Sequence, residues 1–396
     1  MRTSLLSTVL LLAAAACAGT PTAQEESTSS STEEALKIRS ALRATDFVHG
    51  LDKSSIRALQ SWVDDDTFEA KWTSMLSAPL EFFGGADSAY HADLANLRSR
   101  RLPGYEVLCH GDPKFDNFGW TKVDGQGLFS NNDFDETGFC PVSADALRFL
   151  VATNLWFNDP GLDDAALSAY VDTVHNPRSQ VAVDPSTEPN WDEVRTKGLA
   201  KSAAGDTLIL GGEVQEATQD EVAAVRALAA GDGRFPAKVL DVARNVRTSG
   251  GSAGLRRFWL LTEDAQATRT IIELKELTTP ATEFGNFSRS VDGPDRFDIL
   301  KPFWWNADDP GDHYTIYVLN GRFLVRDRLI RANPKPDKMT PAQITNMVKA
   351  EASLLATKHR SGWRKVSSPK LRSWLRDSAA VLTARWRAAY VAAGGM

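Results

Sequence analysis

The spacing of apolar residues changes twice along the chain, and this pattern limits the possible folds most. Apolar residues recur at helical spacing over residues 35–235, for example in DDDTFEAKWTSML and VSADALRFLVATNLW. Over residues 236–330, four or five segments such as RRFWLLT and RTIIELKEL are typical of strands. Helical spacing returns over residues 331–396. We therefore expect an α+β protein in which a small β lobe follows a helical lobe, and a helical return packs on that helical lobe, with a ligand cleft between the lobes.

The beginning of the chain is typical of an exported protein. Residues 1–17 combine Arg2 with the apolar run SLLSTVLLLAAAA, which is too short to span a bilayer and indicates an export signal. The sequence AAAC favours a lipobox with a lipidated Cys17, and the alternative is ordinary signal-peptidase cleavage at this position. Residues 18–34 are mostly small and polar, which predicts a disordered tether. We expect a membrane-anchored lipoprotein of the bacterial envelope, or a periplasmic or secreted protein if Cys17 is not lipidated.

Charge and cysteine content narrow the class of protein further. The net charge of −6 over 396 residues argues against a nucleic-acid-binding protein, which needs a basic face. After Cys17 the chain contains only Cys109 and Cys140, which flank a polar loop. Export permits a disulfide between them. The interpretation that we favour is two buried free thiols, because free cysteine behaves as a small apolar residue.

The stretch VLCHGDPKFDNFGW contains the first group of candidate catalytic residues. Asp112 and Asn117 stand five positions apart after the apolar segment YEVLCH, and Asp133 ends a second apolar segment, GLFSNND. Two such strands, if paired, bring both loops to one end of a sheet. Phosphoryl transfer needs an Asp beside the attacking hydroxyl and oxygen ligands for Mg²⁺. Asp112 is therefore the predicted base, and Asn117 and Asp133, with Asp135, are the predicted metal ligands.

Two further residues are predicted to support this loop. His110 is expected to pack beneath the loop and to fix its backbone; a role as general base or metal ligand is less favoured. Asp145 lies in the apolar helix VSADALRF, where a charged group needs partners. We expect Asp145 to accept hydrogen bonds from the backbone around His110. The alternative is an ion pair with Arg148 on the same helix.

A nucleotide-binding half is predicted late in the chain. RTSGGSAGLRRFWLL places a glycine-rich turn between two predicted strands, and the backbone of Gly250, Gly251, Ser252 and Gly254 is suited to hold phosphates. Lys275 follows on the next strand, as in protein kinases, where a lysine on the third strand contacts the phosphates. The alternative is that Lys275 forms an ion pair at a sheet edge. Glu273 shares its face, but no glutamate partner of Lys275 is identified.

These blocks together resemble an uncharacterised bacterial family in the kinase-like superfamily that includes aminoglycoside phosphotransferases. The resemblance covers residues 75–362, with the blocks HGDPKFDNFG, NDFDE, GGSAG and ELKEL in the same order. It implies a circularly permuted kinase-like fold, with ATP and Mg²⁺ as cofactors. It also implies Asp112, Asn117 and Asp133 as the active-site set and Lys275 as the phosphate-binding residue. Lys114 departs from the family, which commonly has His there, and the glycine block here has one extra residue.

Three functions remain open from the sequence. The favoured one is transfer of the γ-phosphate of ATP to a hydroxyl of an unknown acceptor, most simply a small molecule. The second is a catalytically degenerate kinase-like protein that binds a nucleotide or an envelope partner, since ATP is scarce outside the cytoplasm. The third uses the basic tail with Trp363, Trp374 and Trp386 on anionic lipid. The competing interpretation of that tail is a helical stripe that packs on the helical lobe.

Overall fold

The fold is described from a computed structural model, which covers most of the chain. The described residues are 40–98, 102–123, 125–133, 135–233, 235, 238–287, 303, 317–319 and 322–396. The predicted export signal, the lipidation of Cys17 and the tether therefore lie outside the described residues.

Helices form most of the structure on both sides of the β-rich segment. The described residues form ten α-helices: α1 (Lys53–Ala58), α2 (Asp65–Met75), α3 (Pro79–Gly85), α4 (Asp87–Ala95), α5 (Val142–Phe157), α6 (Pro160–His175), α7 (Trp191–Ser202), α8 (Gln219–Ala230), α9 (Pro341–His359) and α10 (Ser368–Ala392). Among the described residues, no helix combines the length and apolar character that are needed to cross a bilayer.

Thirteen strands are described, and they form four sheets. Their bounds are β1 (Glu106–Cys109), β2 (Phe118–Val123), β3 (Gln126–Asn131), β4 (Gly138–Pro141), β5 (Ala203–Ala204), β6 (Thr207–Leu208), β7 (Val214–Glu216), β8 (Lys238–Asn245), β9 (Arg257–Glu263), β10 (Arg269–Glu276), β11 (Tyr317–Leu319), β12 (Phe323–Asp327) and β13 (Arg331–Ala332). Together the helices and sheets confirm the α+β class expected from the sequence.

The helices form where sequence spacing and capping agree. α5 is buried over most of its length, as its apolar composition predicted. Thr340 caps α9 by accepting from the Gln343 backbone, with Pro341 at the first helical position. In α10 the predicted stripe is confirmed, because its members are buried in the core of the helical part. These are Leu371, Trp374, Leu375, Leu382 and Trp386.

The main sheet has six strands in the order β11-β12-β10-β9-β8-β7, and its pairs are all antiparallel. β10 is therefore an interior strand. Lys275 on β10 lies opposite Arg257 of β9 and Leu324 of β12. The alternative of an edge lysine is therefore wrong.

The pairing expected near the predicted catalytic loop, residues 110–117 and hereafter the catalytic loop, is also wrong. β1 pairs with β4 and not with β3, whereas β3 pairs with β2. The second pair follows from the short separation of its strands, since β2 ends at Val123 and β3 begins at Gln126, as in a hairpin. β13 pairs with β2 on its other side, so the chain that leaves the main sheet contacts the catalytic loop region.

Candidate functional site

A polar cavity of about 340 Å³ lies where the catalytic loop, the glycine-rich turn and the main sheet meet. Among the described lining residues, the six carboxylates all come from residues 87–136, and five of the six cationic side chains come from residues 247–331. The lining residues are Asp87, Asp112, Lys114, Asp116, Asn117, Asn132, Asp133, Asp135, Glu136, Arg247, Gly250, Gly251, Ser252, Lys275, Arg326, Arg328, Arg331 and Asn333. The carboxylates and most of the cationic groups thus come from different parts of the sequence. We call these two sets the anionic side and the cationic side of the cavity; ion pairs such as Lys275–Asp135 and Arg326–Asp133 join them.

Asp145 fixes the start of the catalytic loop. Its carboxylate accepts the backbone N–H of His110 at 2.7 Å and that of Gly111 at 3.0 Å, and contacts His359 Nε2 at 3.0 Å. Burial alone would raise the pKa of Asp145, but His359, His110 and these hydrogen bonds lower it below its ordinary value. The predicted hydrogen bonds are confirmed, and the alternative pairing of Asp145 with Arg148 is wrong.

Gly111 is required by the shape of this loop. Its φ of +87° is unfavourable for other residues, and a Cβ would lie 1.9 Å from the backbone oxygen of Glu136. His110 is fully buried against Phe118, with ring centroids 5.4 Å apart, and burial lowers its pKa. A buried neutral imidazole agrees with the supporting position that was predicted for His110.

A disulfide between Cys109 and Cys140 joins the two strands beneath the loop, with a Cα–Cα distance of 5.8 Å. β1 and β4 pair so that Val107 lies opposite Cys140 and Cys109 lies opposite Gly138. The favoured interpretation of two free buried thiols is therefore wrong. The physical reason is the β1–β4 pairing, which was not recognised in the sequence.

Asp112 is held by a set of donors. Arg148, whose side chain is fully buried, donates through Nε at 2.8 Å, and its Nη2 lies 2.6 Å from the same carboxylate oxygen. Asn117 Nδ2 donates to Asp112 Oδ2 at 3.0 Å, and Lys114 Nζ lies 3.3 Å from it. Burial would raise the pKa of Asp112, but Arg148 and Lys114 outweigh it and lower the pKa. Asp112 is therefore ionised and fixed in orientation.

Lys275 connects the two sides of the cavity. Its ammonium forms an ion pair with Asp135 and lies 4.0 Å from Asp133 Oδ1. Burial opposes ionisation of Asp133, but Lys275 and Arg326 lower its pKa well below the usual range. Burial and the adjacent Asp133 instead raise the pKa of Asp135. The structure thus brings together residues that are 140 positions apart in sequence, and the carboxylate partners of Lys275 are aspartates.

The glycine-rich turn lies over the same cavity. Gly250, Gly251 and Ser252 line it, but Gly254 does not. A Cβ on Gly254 would instead lie 2.9 Å from Val63, so the assignment of Gly254 to the phosphate-binding backbone is corrected. The carbonyl oxygen of Gly251 accepts a hydrogen bond at 2.9 Å from Lys71, a buried lysine of α2.

Glu273 organises a group of arginines that sequence reasoning missed. Its carboxylate accepts from Arg257 at 2.9 Å, Arg326 at 2.6 Å and Arg328 at 2.7 Å. Burial opposes its ionisation, but these guanidinium groups lower its pKa well below the ordinary value. The signal was present in the buried strand FLVRD, where Arg326 interrupts an apolar run. Lys71, Arg148 and Arg331 carried no comparable local signal.

Comparison with known proteins finds a match to one family. Residues 64–182 match the model of a family described as an uncharacterized protein conserved in bacteria, DUF2252. The matched segment contains Lys71, Asp112, Asn117, Asp133 and Arg148 but ends before the glycine-rich turn. No curated protein and no solved structure matches the chain.

Proposed function

We propose that the chain is an ATP-dependent phosphotransferase, which moves the γ-phosphate to a hydroxyl of a small-molecule acceptor. Asp112 orients the hydroxyl and receives its proton. Lys275 and the backbone of Gly250, Gly251 and Ser252 bind the phosphates of the nucleotide. The acceptor oxygen forms a bond to phosphorus as the bond to the leaving ADP oxygen breaks.

The observation that carries this proposal is the division of charge across the cavity. Cationic side chains from residues 247–331 suit a phosphate chain, and carboxylates from residues 87–136 suit a divalent cation. Lys275 lies at the meeting point of the two sides, within 4.0 Å of Asp133. A phosphotransferase needs both sets of groups at one place.

The oxygen donors of the anionic side fit Mg²⁺. Asn117 and Asp133 would hold the ion, with Asp135 beside them, since hard cations prefer carboxylate and amide oxygens. Asn117 uses its Nδ2 to donate to Asp112, which leaves its Oδ1 for a cation. When bound, Mg²⁺ supplies positive charge that offsets the charge of the phosphate oxygens. In this structure Asp133 contacts Lys275 and Arg326.

A circularly permuted kinase-like fold accounts for the chain order. In protein kinases a glycine-rich loop precedes a lysine on the third strand, and the catalytic loop comes later. Here β8, the glycine-rich turn, β9 and Lys275 on β10 follow each other in the kinase order, but they come after the Asp112 loop. We propose that the main sheet is the small lobe of such a fold.

A second candidate is a catalytically degenerate member that binds a nucleotide without transferring phosphate. The observation that favours it is the pair between Asp112 and the buried Arg148. Two contacts from one guanidinium lower the proton affinity of Asp112, which weakens it as a base.

Binding is tested first, by thermal unfolding with and without Mg²⁺ and ATP. A ligand at about 100 times its Kd stabilises the folded state by about 2.7 kcal/mol. We expect MgATP to stabilise the wild type more than ATP without Mg²⁺ does. In Asp133→Asn, MgATP and ATP alone should stabilise the protein equally. The control is Asp172→Asn, an exposed aspartate that pairs with Arg372 on the surface. If MgATP stabilised Asp133→Asn as much as wild type, the proposal would be contradicted.

Turnover then separates the two candidates. We expect ATP consumption to require an acceptor fraction, supplied as a metabolite or envelope extract with radiolabelled ATP. Asp112→Asn should lower turnover by about 10²–10⁴-fold while MgATP still stabilises the variant. Asparagine retains an oxygen that can accept from Arg148, so the buried guanidinium keeps a partner. Binding that depends on Asp133, with no transfer to any fraction, would favour the degenerate member.

A further inference from the structure

The cationic side of the cavity carries more charge than the proposed phosphate contacts use. Arg326 donates to two carboxylates, from Nε to Glu273 at 2.6 Å and from Nη1 to Asp133 at 3.0 Å. Arg328 uses one nitrogen for Glu273, at 2.7 Å. Arg331 has a buried Nε with no hydrogen-bond partner, and no ion pair joins it to a carboxylate within the described part of the chain. Two of these three guanidinium groups therefore have donors to spare.

These arginines contact a different part of the molecule from the glycine-rich turn. Arg331 lies in β13, opposite Thr121 of β2, and the nearby Asn333 donates to the backbone oxygen of Asp116 at 2.7 Å. The turn contacts α2 and the start of α4, through Lys71 and Asp87, and the Ser252 hydroxyl accepts from Arg257 at 2.8 Å. Both groups line one cavity, and Glu273 links them because it accepts from Arg257 and from Arg328.

Positive charge is crowded at the β13 end of the cavity, where Arg326, Arg328 and Arg331 all line it. Burial and then the neighbouring Arg326 lower the pKa of Arg331 to about 9, although Asp133 and Glu273 act in the opposite direction. Burial, with Arg326 as a further cause, also lowers the pKa of Arg328. Guanidinium groups that repel each other in a partly buried place raise the free energy of the ligand-free protein. A bound anion relieves this cost.

We propose that Arg328 and Arg331 form a second anion site at the β12–β13 end of the cavity. It takes a phosphate-class group in addition to the phosphates held by Lys275 and the glycine-rich turn. The site belongs to the same cavity as the phosphotransfer centre and rests on that proposed function.

The chemistry of the two side chains suits a phosphate group. A guanidinium presents a planar set of donors that matches phosphate oxygens. Arg328 is already held in place, because its guanidinium lies 4.4 Å from the centre of the Trp259 ring and one nitrogen contacts Glu273. Among the described lining residues there is no apolar side chain, so this end favours a charged group over a nucleobase.

The phosphate-class group has two possible sources. It is either the far end of an extended phosphate chain that lies along the cationic side, or a separate anionic group on the acceptor. A chain competes with ATP for the cavity, whereas a separate group binds together with ATP. The two sources therefore give opposite results in a competition experiment.

The test measures binding by calorimetry for wild type, Arg331→Gln and the control Arg322→Gln. Arg322 is an arginine of the same sheet region, is about half exposed, and pairs with Glu276 away from the cavity. The probes are inorganic tripolyphosphate with Mg²⁺, and orthophosphate added to protein saturated with MgATP. We expect at least about a tenfold loss of affinity for one probe in Arg331→Gln, and none in Arg322→Gln. Loss for tripolyphosphate, with competition against ATP, identifies a phosphate chain. Loss for orthophosphate on the MgATP complex identifies a separate group.

A stability measurement distinguishes a ligand site from a structural arginine. Removing a partly buried guanidinium whose buried Nε lacks a partner should leave the ligand-free Arg331→Gln protein as stable as wild type, or more stable. Equal binding of both probes to wild type and Arg331→Gln, or clear destabilisation of the ligand-free variant, overturns the second site. MgATP binding that still depends on Asp133 would then leave the proposed function intact. If tripolyphosphate binding depended on Arg331 but MgATP did not bind, the proposal of a nucleotide site would be contradicted and that of the anion site would stand.

Discussion

The predicted catalytic loop over residues 110–117 and the glycine-rich turn over residues 250–254 both contribute residues to the same cavity, but they are held very differently. The loop is buried, and Asp145, Arg148 and Asn117 each make two contacts to its backbone or to Asp112. A disulfide joins the strands beneath it. The turn is half-buried, and two described side chains, those of Lys71 and Arg257, hydrogen-bond to it, besides backbone hydrogen bonds to Arg247 and Leu255.

Under the proposed function, this difference suits the two segments to different roles. Groups that must hold an acceptor hydroxyl in one orientation benefit from a network that fixes them before the ligand arrives. A segment that closes over phosphates benefits from few fixed contacts, because it must admit and release the nucleotide. We therefore expect changes in the loop to act mainly on stability, and changes in the turn to act mainly on binding.

The largest expected effect follows removal of the Asp145 carboxylate. Asp145→Ala leaves the backbone N–H groups of His110 and Gly111 buried without acceptors and removes the partner of His359. We expect the free energy of unfolding to fall by about 3–5 kcal/mol in chemical denaturation. The exposed Asp172→Asn should change it by less than about 1 kcal/mol. A loss below that level in Asp145→Ala would mean that the loop does not depend on this carboxylate.

Lys71→Met tests the contact between α2 and the turn, and the quantity measured is the pH dependence of stability. Burial lowers the pKa of Lys71 to about 8 from 10.5, despite the nearby Asp87 and Glu136. Below pH 8 both folded and unfolded chains are protonated, and the cost of burying the charge is fully present. Between pH 8 and 10.5 the folded chain loses its proton first, so the stability of wild type rises with pH in this range.

Comparison of the two unfolding curves isolates this group. Lys71→Met lacks the buried charge, so its stability relative to wild type should decline from pH 8 to 10.5, by on the order of 3 kcal/mol in total. Loss of the hydrogen bond to Gly251 shifts the whole variant curve without changing its slope. Parallel curves for the two proteins over this pH range would contradict a buried, charged Lys71.

The sequence was informative wherever the signal was local. Asp112 and Asn117 share one loop, Asp145 is a charge in an apolar helix, and Lys275 is a charge in an apolar strand. Each of these patterns depends on neighbours within a few positions, where strand and helix periodicity applies. The α+β class followed from the same periodicity.

The sequence could not predict the partners of these residues, and the reason is physical. Lys71 and Gly251 are 180 positions apart, and no local pattern marks a lysine on a helix as a donor to a distant carbonyl. Arg148 was considered only as an alternative partner of Asp145 because both lie on one helix, and it donates to Asp112 instead. The disulfide depended on β1–β4 pairing, and a four-residue strand such as GFCP has too short a pattern to reveal its partner.

Gly251→Ala is expected to have the smallest effect on stability and separates the two segments most directly. Its new Cβ would lie 2.7 Å from Asp87 Oδ2 and 3.6 Å from the oxygen of Gly84, so the turn must move slightly away from α4. We expect a loss of about 1 kcal/mol in unfolding free energy, at the lower end of overpacking costs, and a clear reduction in stabilisation by MgATP. Gly233→Ala is the control, because its Cβ would meet nothing within 4 Å. Gly111→Ala, whose Cβ would lie 1.9 Å from backbone, should instead lose most of its stability before any ligand is added. If Gly251→Ala destabilised the ligand-free protein as much as Gly111→Ala does, the turn would be as firmly fixed as the loop, and the division of work between them would not hold.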